Sequence, residues 1–103
     1  MNIREYQKWV RGMWSSKNRE LDLRDHFIMT TGLGGETGEV LDILKKQVRD
    51  SKLDMQHLIE ELGDVLYYLT MICNAHEISL QEVIDCNVEK LNERYKDRIG
   101  NSD

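Results

Sequence analysis

Apolar residues recur along this chain at the 3.6-residue period of an α-helix in four separate stretches. The first helix is expected over residues 3–15, with Ile3, Tyr6, Val10 and Met13 on one stripe and Trp9 and Trp14 beside it. Residues 16–24, SKNRELDLR, are polar and read as a connection. The second helix is expected from about Asp25, as its cap, to Val48. Phe27, Ile28, Leu33, Val40, Leu41, Ile43, Leu44 and Val48 supply its apolar side. RDSKLD, residues 49–54, is the expected turn, with Asp54 capping a third helix over 55–76. The second half of that helix, VLYYLTMIC, is apolar almost all round. A single hairpin cannot bury such a helix on every side, so contacts with several helices, a second subunit included, are expected. Ser79–Leu80–Gln81–Glu82 forms a capping box that starts a fourth helix. It should run to about Arg98 and stop near Gly100, before a frayed polar tail, with Leu80, Val83, Ile84, Val88, Leu91 and Tyr95 on its inner stripe.

Gly32, Gly34, Gly35 and Gly38 interrupt the second helix. Each costs about 1 kcal/mol relative to alanine inside a helix. Close approach of a neighbouring helix or a ligand is one reason for them, and a break into two helices near 32–35 is the other.

The chain has no proline, and this and the helical periods point to an all-α single domain of 103 residues with its core at about 3–98. A hydrophobic fraction of 40% and a charged fraction of 32% suit a water-soluble globular protein. The net charge of −5 argues against nonspecific binding to nucleic acid or to anionic membranes. No apolar run reaches a membrane span, and no signal peptide is expected before the first helix. Cys73 and Cys86 fall at apolar helix positions outside any CxxC pattern, which suits small core residues in a reduced cytoplasmic protein.

Two acidic pairs carry the chemistry: Glu36 with Glu39, and Glu61 with Asp64. Spacing of i, i+3 puts both carboxylates of a pair on one helix face, roughly 4.5 Å apart along the axis. Glu39 stands about nine residues, roughly 14 Å, before the end of the second helix at a rise of 1.5 Å per residue. Glu61 stands about six residues, roughly 9 Å, after the start of the third. An antiparallel hairpin therefore brings the pairs to similar heights, leaving the rotation of each helix open. Four converging carboxylates need a cation between them, and a hard divalent ion such as Mg²⁺ takes oxygen ligands. The plain alternative is a set of solvated acids on amphipathic helices. GLGG is not followed by the GK[ST] of a phosphate-binding loop. His26, His57 and His76 are scattered and make no ligand set.

GLGGETGEVLDILKK (32–46) and LIEELGDVLYYL (58–69) resemble the MazG-like nucleoside triphosphate pyrophosphohydrolases of the all-α NTP pyrophosphatase superfamily. NVEKLNERY (87–95) is similar to that family's NxxKLxxRY segment. The resemblance implies a four-helix bundle that assembles into a homodimer or homotetramer. It also implies a Mg²⁺-dependent enzyme, with Mn²⁺ able to substitute, that converts a nucleoside triphosphate, notably a dNTP, to the monophosphate and pyrophosphate in a housecleaning role. Glu36, Glu39, Glu61 and Asp64 would hold the metal, and Glu60 is a candidate general base with plain surface exposure as its alternative. Asn87, Lys90, Arg94, Tyr95 and Lys45 would meet the phosphates, and Trp9 could stack on the base or serve the core. Gly35 stands where many members have a glutamate, which leaves the number of metals open. The competing readings are a nucleotide-binding regulator that does not hydrolyse and a catalytically silent helical interaction protein.

Overall fold

The computed structural model describes residues 1–14 and 20–97, which form four helices and no strand. They are α1 (Ile3–Met13), α2 (Leu23–Asp50), α3 (Met55–Ala75) and α4 (Leu80–Arg94). Trp14 is extended and ends α1 earlier than the expected residue 15, which lies outside the described residues. The expected end of α4 at Arg98 to Gly100 also lies outside them.

The cap of α2 is Asp22 rather than Asp25. Asp25 instead occupies the third helical position: its N–H donates to Asp22 Oδ1 at 3.0 Å, and Asp22 N–H donates to Asp25 Oδ2 at 2.9 Å. This reciprocal box satisfies two backbone donors and lets the helix start three residues sooner. Asp54 caps α3 and Ser79 caps α4, as expected. Helix α2 is unbroken through its glycines and ends at Ser51 in the left-handed region.

Helices α2 and α3 form the main antiparallel hairpin, and α1 lies across α3. Gly32 is where the hairpin closes: a Cβ built there would overlap the ring of Tyr68. Close approach therefore explains Gly32, whereas Gly34, Gly35 and Gly38 face open space within this chain. Val10, Met29 and Met71 make the core, with Tyr6, Trp14, Leu21, Tyr67, Tyr68, Ile72 and Ala75 packed around them.

Helix α4 packs chiefly on α1, and Leu80 is its one buried residue among those described. The expected inner stripe of α4 is thus largely uncovered: Val88 is 51% exposed, and Val83, Ile84 and Tyr95 are also exposed. Helix α3 has a second uncovered line, Met55, Ile59, Leu62 and Leu66. The radius of gyration is 16.9 Å, against about 13 Å for a compact chain of 100 residues. Cys73 is buried as expected, but Cys86 is exposed, with none of the described residues covering its part of α4. Both thiols are free.

Candidate metal centre

Glu36 sits one helical turn beyond Gly32, so the close approach that seats Tyr68 also brings Glu36 to α3. There it meets Glu61 and Asp64, and one carboxylate oxygen from each of the three lies within 4.8 Å of the others. The two helices carry no compensating lysine or arginine into this cluster among the described ion pairs. Hydrogen bonding to Glu61 raises the Glu36 carboxyl above its ordinary range, with burial, Asp64, Glu61 and Glu39 adding to it. A carboxylate pushed towards its protonated form by other carboxylates is a site short of positive charge. The all-oxygen donor set suits a hard divalent cation.

Glu39 is exposed and stands outside the triad, although its charge still reaches Glu36. The rotation of α2 turns Glu36 towards α3 and leaves Glu39 on the rim. Glu60 is exposed on α3 and accepts from Gln56 Nε2 at 3.4 Å, one turn earlier. It lies beside the triad in sequence and outside it in space.

Two neighbours of the triad, His57 and Tyr6, are not among the site residues expected from the sequence. His57 Nε2 lies 3.2 Å from Glu61 Oε1, across one helical turn. Its i, i+4 spacing was the available signal. Tyr6 reaches the same region from α1; burial raises its phenol, and Tyr67 and Asp64 add to the rise. No sequence signal links residue 6 to residue 64, because only the packing of α1 on α3 joins them.

Trp9 is 47% exposed. Its ring lies 5.9 Å from Tyr6 and 6.4 Å, edge-on, from Tyr67. It is therefore a half-exposed aromatic ring packed against Tyr6 and Tyr67. Lys45 and Lys46 both pair with Asp42 on their own helix, at 3.3 and 2.9 Å, and both remain exposed. Asn87, Lys90, Arg94 and Tyr95 are exposed on α4, a helix that packs on α1 rather than on the hairpin carrying the triad. Within one chain, the structure brings together three of the expected site residues and holds the α4 group apart.

Residues 24–99 match the MazG nucleotide pyrophosphohydrolase domain. Among curated proteins, the chain is 37% identical over 75 residues to the Gene 37 protein of Mycobacterium phage L5, covering 68% of this chain and 65% of that protein. It is 36% identical over 70 residues to the uncharacterized protein YpjD of Bacillus subtilis (strain 168), covering 68% of this chain and 63% of that one. The chain thus spans a little under two thirds of the length of each relative. No solved structure matches it.

Proposed function

The chain belongs to the MazG nucleotide pyrophosphohydrolase domain family, and from that premise we propose that it hydrolyses a nucleoside triphosphate, notably a dNTP, to the monophosphate and pyrophosphate. The observation that carries this reading is the meeting of Glu36, Glu61 and Asp64 at one point of the hairpin. The bond broken is the α–β phosphoanhydride; water adds to the α-phosphorus and pyrophosphate leaves.

Glu36, Glu61 and Asp64 would hold Mg²⁺ or Mn²⁺, and the exposed Glu39 can turn in from the rim as a fourth carboxylate. Such an ion supplies charge neutralisation for the phosphate oxygens and acidifies attacking water. The side chains do the rest. The carboxylates themselves repel phosphate, so they would position the reacting group only by holding the cation that binds it, which would make proximity part of the rate. Glu60 is the candidate acceptor of the water proton, from a position just outside the triad. Trp9 offers an aromatic face for the base, beside Tyr6 and Tyr67. Asn87, Lys90, Arg94 and Tyr95 bind the phosphates from α4. Lys45 contributes less, because Asp42 already holds it.

The uncovered lines on α3 and α4 favour a homodimer or homotetramer in which these faces are closed. Free thiols at Cys73 and Cys86 fit a cytoplasmic setting. No helix among the described residues is long and apolar enough to cross a membrane. A housecleaning role towards the nucleotide pool follows from the reaction.

The test is pyrophosphate release from a panel of canonical and modified NTPs and dNTPs, with and without Mg²⁺. Metal-dependent release from one or a few of them is the expected result. Saturable Mg²⁺-dependent binding without release would instead make the chain a nucleotide sensor.

A further inference from the structure

One polar side chain ties together three parts of the chain. Gln7 lies on α1, facing the junction where α3 ends and α4 begins. Its Nε2 donates to Asn74 Oδ1 at 2.9 Å and to the carbonyl of Ile78 at 2.8 Å. Its Oε1 accepts the Leu80 N–H at 2.9 Å. Asn74 Nδ2 donates back to the Gln7 carbonyl at 3.3 Å, and an Arg11 guanidinium N–H donates to Asn74 Oδ1 at 3.2 Å. The amide of Gln7 is therefore used as both donor and acceptor, by the end of α3, by the loop, and by the first turn of α4.

The Leu80 N–H is one of the helix-start donors that has no partner inside its own helix. Ser79 Oγ accepts the Glu82 N–H at 3.0 Å, so the ordinary cap serves a different donor. Gln7 supplies what the cap leaves open. Leu80 is also the one buried residue of α4 among those described, and it lies at the end that Gln7 holds. Beyond it, the described residues of α4 are exposed except for the half-buried Leu91, and the helix acts as an arm.

An arm amplifies errors at its joint. Lys90 stands ten residues beyond Leu80, about 15 Å at the helical rise, and Arg94 about 21 Å. A tilt of about 15° at the joint moves Lys90 by roughly 4 Å on that geometry. A hydrogen bond to phosphate tolerates only a few tenths of an ångström.

We propose that Gln7 is a positioning residue: its side-chain amide sets the direction in which α4 leaves the core, and so where Asn87, Lys90 and Arg94 meet the phosphates of a nucleoside triphosphate. This rests on the function proposed above, with α4 as the phosphate-binding helix. Gln7 touches neither substrate nor metal, and acts through α4.

The test uses the full chain. Gln7→Met keeps the length of the side chain and removes its hydrogen bonds. The KM for the preferred nucleoside triphosphate should rise at least tenfold, with kcat falling less than threefold and the Mg²⁺ concentration for half-activation unchanged. Asn74→Leu should reproduce this split. Asn74→Asp keeps the acceptor for Gln7 and Arg11, and should retain the parent KM. Direction itself is read by nitroxides on the exposed native Cys86 of α4 and on Gln47→Cys of α2, diluted with unlabelled chains. The parent should give a narrow distance distribution and Gln7→Met a broad one. An equally narrow distribution in Gln7→Met, a broad one already in the parent, or a fall in kcat with KM unchanged would overturn the proposal. If the parent releases no pyrophosphate from any nucleotide, the functional reading fails, while the distance measurement still decides the joint.

Discussion

The α2–α3 hairpin and α4 are built from the same kind of sequence, an apolar stripe edged with charge, yet only the hairpin packs helix on helix along its length. In the hairpin, Gly32 admits Tyr68, and the packing that follows drives three carboxylates together. In α4, the stripe of Val83, Ile84 and Val88 stays exposed, and the helix is secured by hydrogen bonds at one end. The hairpin holds its groups by contacts along two antiparallel helices, closest where Tyr68 meets Gly32. The arm holds its groups by direction alone. A site that needs both therefore has a rigid acidic half and a cationic half that depends on its joint and its cover.

The largest effect is expected at the triad. Glu61→Gln should lower metal-dependent pyrophosphate release by roughly 100-fold or more, as expected when a group fixing developing charge is lost. Lys45→Ala, whose lysine is paired with Asp42, should change initial rates by less than about twofold. A large Lys45→Ala effect would move the phosphate site onto α2 and erase the contrast with α4.

Next in size is the response to metal. Mg²⁺ at about 100 times its dissociation constant should stabilise the folded chain by roughly 2.7 kcal/mol. Denaturant titration with and without Mg²⁺ measures it, and Glu61→Gln should remove most of the difference. Val88→Gln should leave that metal response intact.

The glycines separate packing from propensity. Gly32→Ala should destabilise by about 1–3 kcal/mol, because the new methyl meets the Tyr68 ring, itself edge-on to Tyr67. Gly34→Ala meets open space and should stabilise by about 0.5–1 kcal/mol through helix propensity alone. Two thermal melts suffice; stabilisation by Gly32→Ala as well as by Gly34→Ala would mean that hairpin closure does not rest on Gly32.

The pH dependence is smaller and has a definite sign. The Glu36 carboxyl is raised in the folded state, chiefly by Glu61. Its favourable contribution is therefore complete below the unfolded value and lost as pH rises through the folded one. Metal-free protein should be more stable at mildly acidic pH than at neutrality from this group. Glu36→Gln should flatten that part of the profile.

The smallest effect on the protomer itself belongs to the arm. Val88→Gln should change protomer stability by no more than about 0.5 kcal/mol, since the side chain is already half in water. Sedimentation should nevertheless shift to smaller species if α4 is covered in the assembly. An unchanged distribution would leave the α3 line of Met55, Ile59, Leu62 and Leu66 as the contact between copies.

Four helices, the caps at Asp54 and Ser79, and a turn between α2 and α3 were legible in the amino-acid sequence, although Arg49 and Asp50 of that expected turn belong to α2. Each is a local property, such as a 3.6-residue period or a side-chain oxygen near a free N–H. Residues 24–99 also carried the family in their order of motifs. Local rules were weaker at Asp25, where two aspartates three apart compete for one cap and the reciprocal box chose Asp22. Only the tertiary structure decided that Glu36 turns inward while Glu39 stays on the rim, and that Tyr6 stands near Asp64. The same holds for Cys86, which no other described element covers. Lys45 is different: Asp42 stands three residues before it on the same helix, so that pairing is local. Rotation about a helix axis and the joining of residues sixty apart cost nothing that a local pattern records. They are settled by which side chains can interpenetrate, as Gly32 and Tyr68 do, and by which polar groups find partners, as Gln7 does at the root of α4.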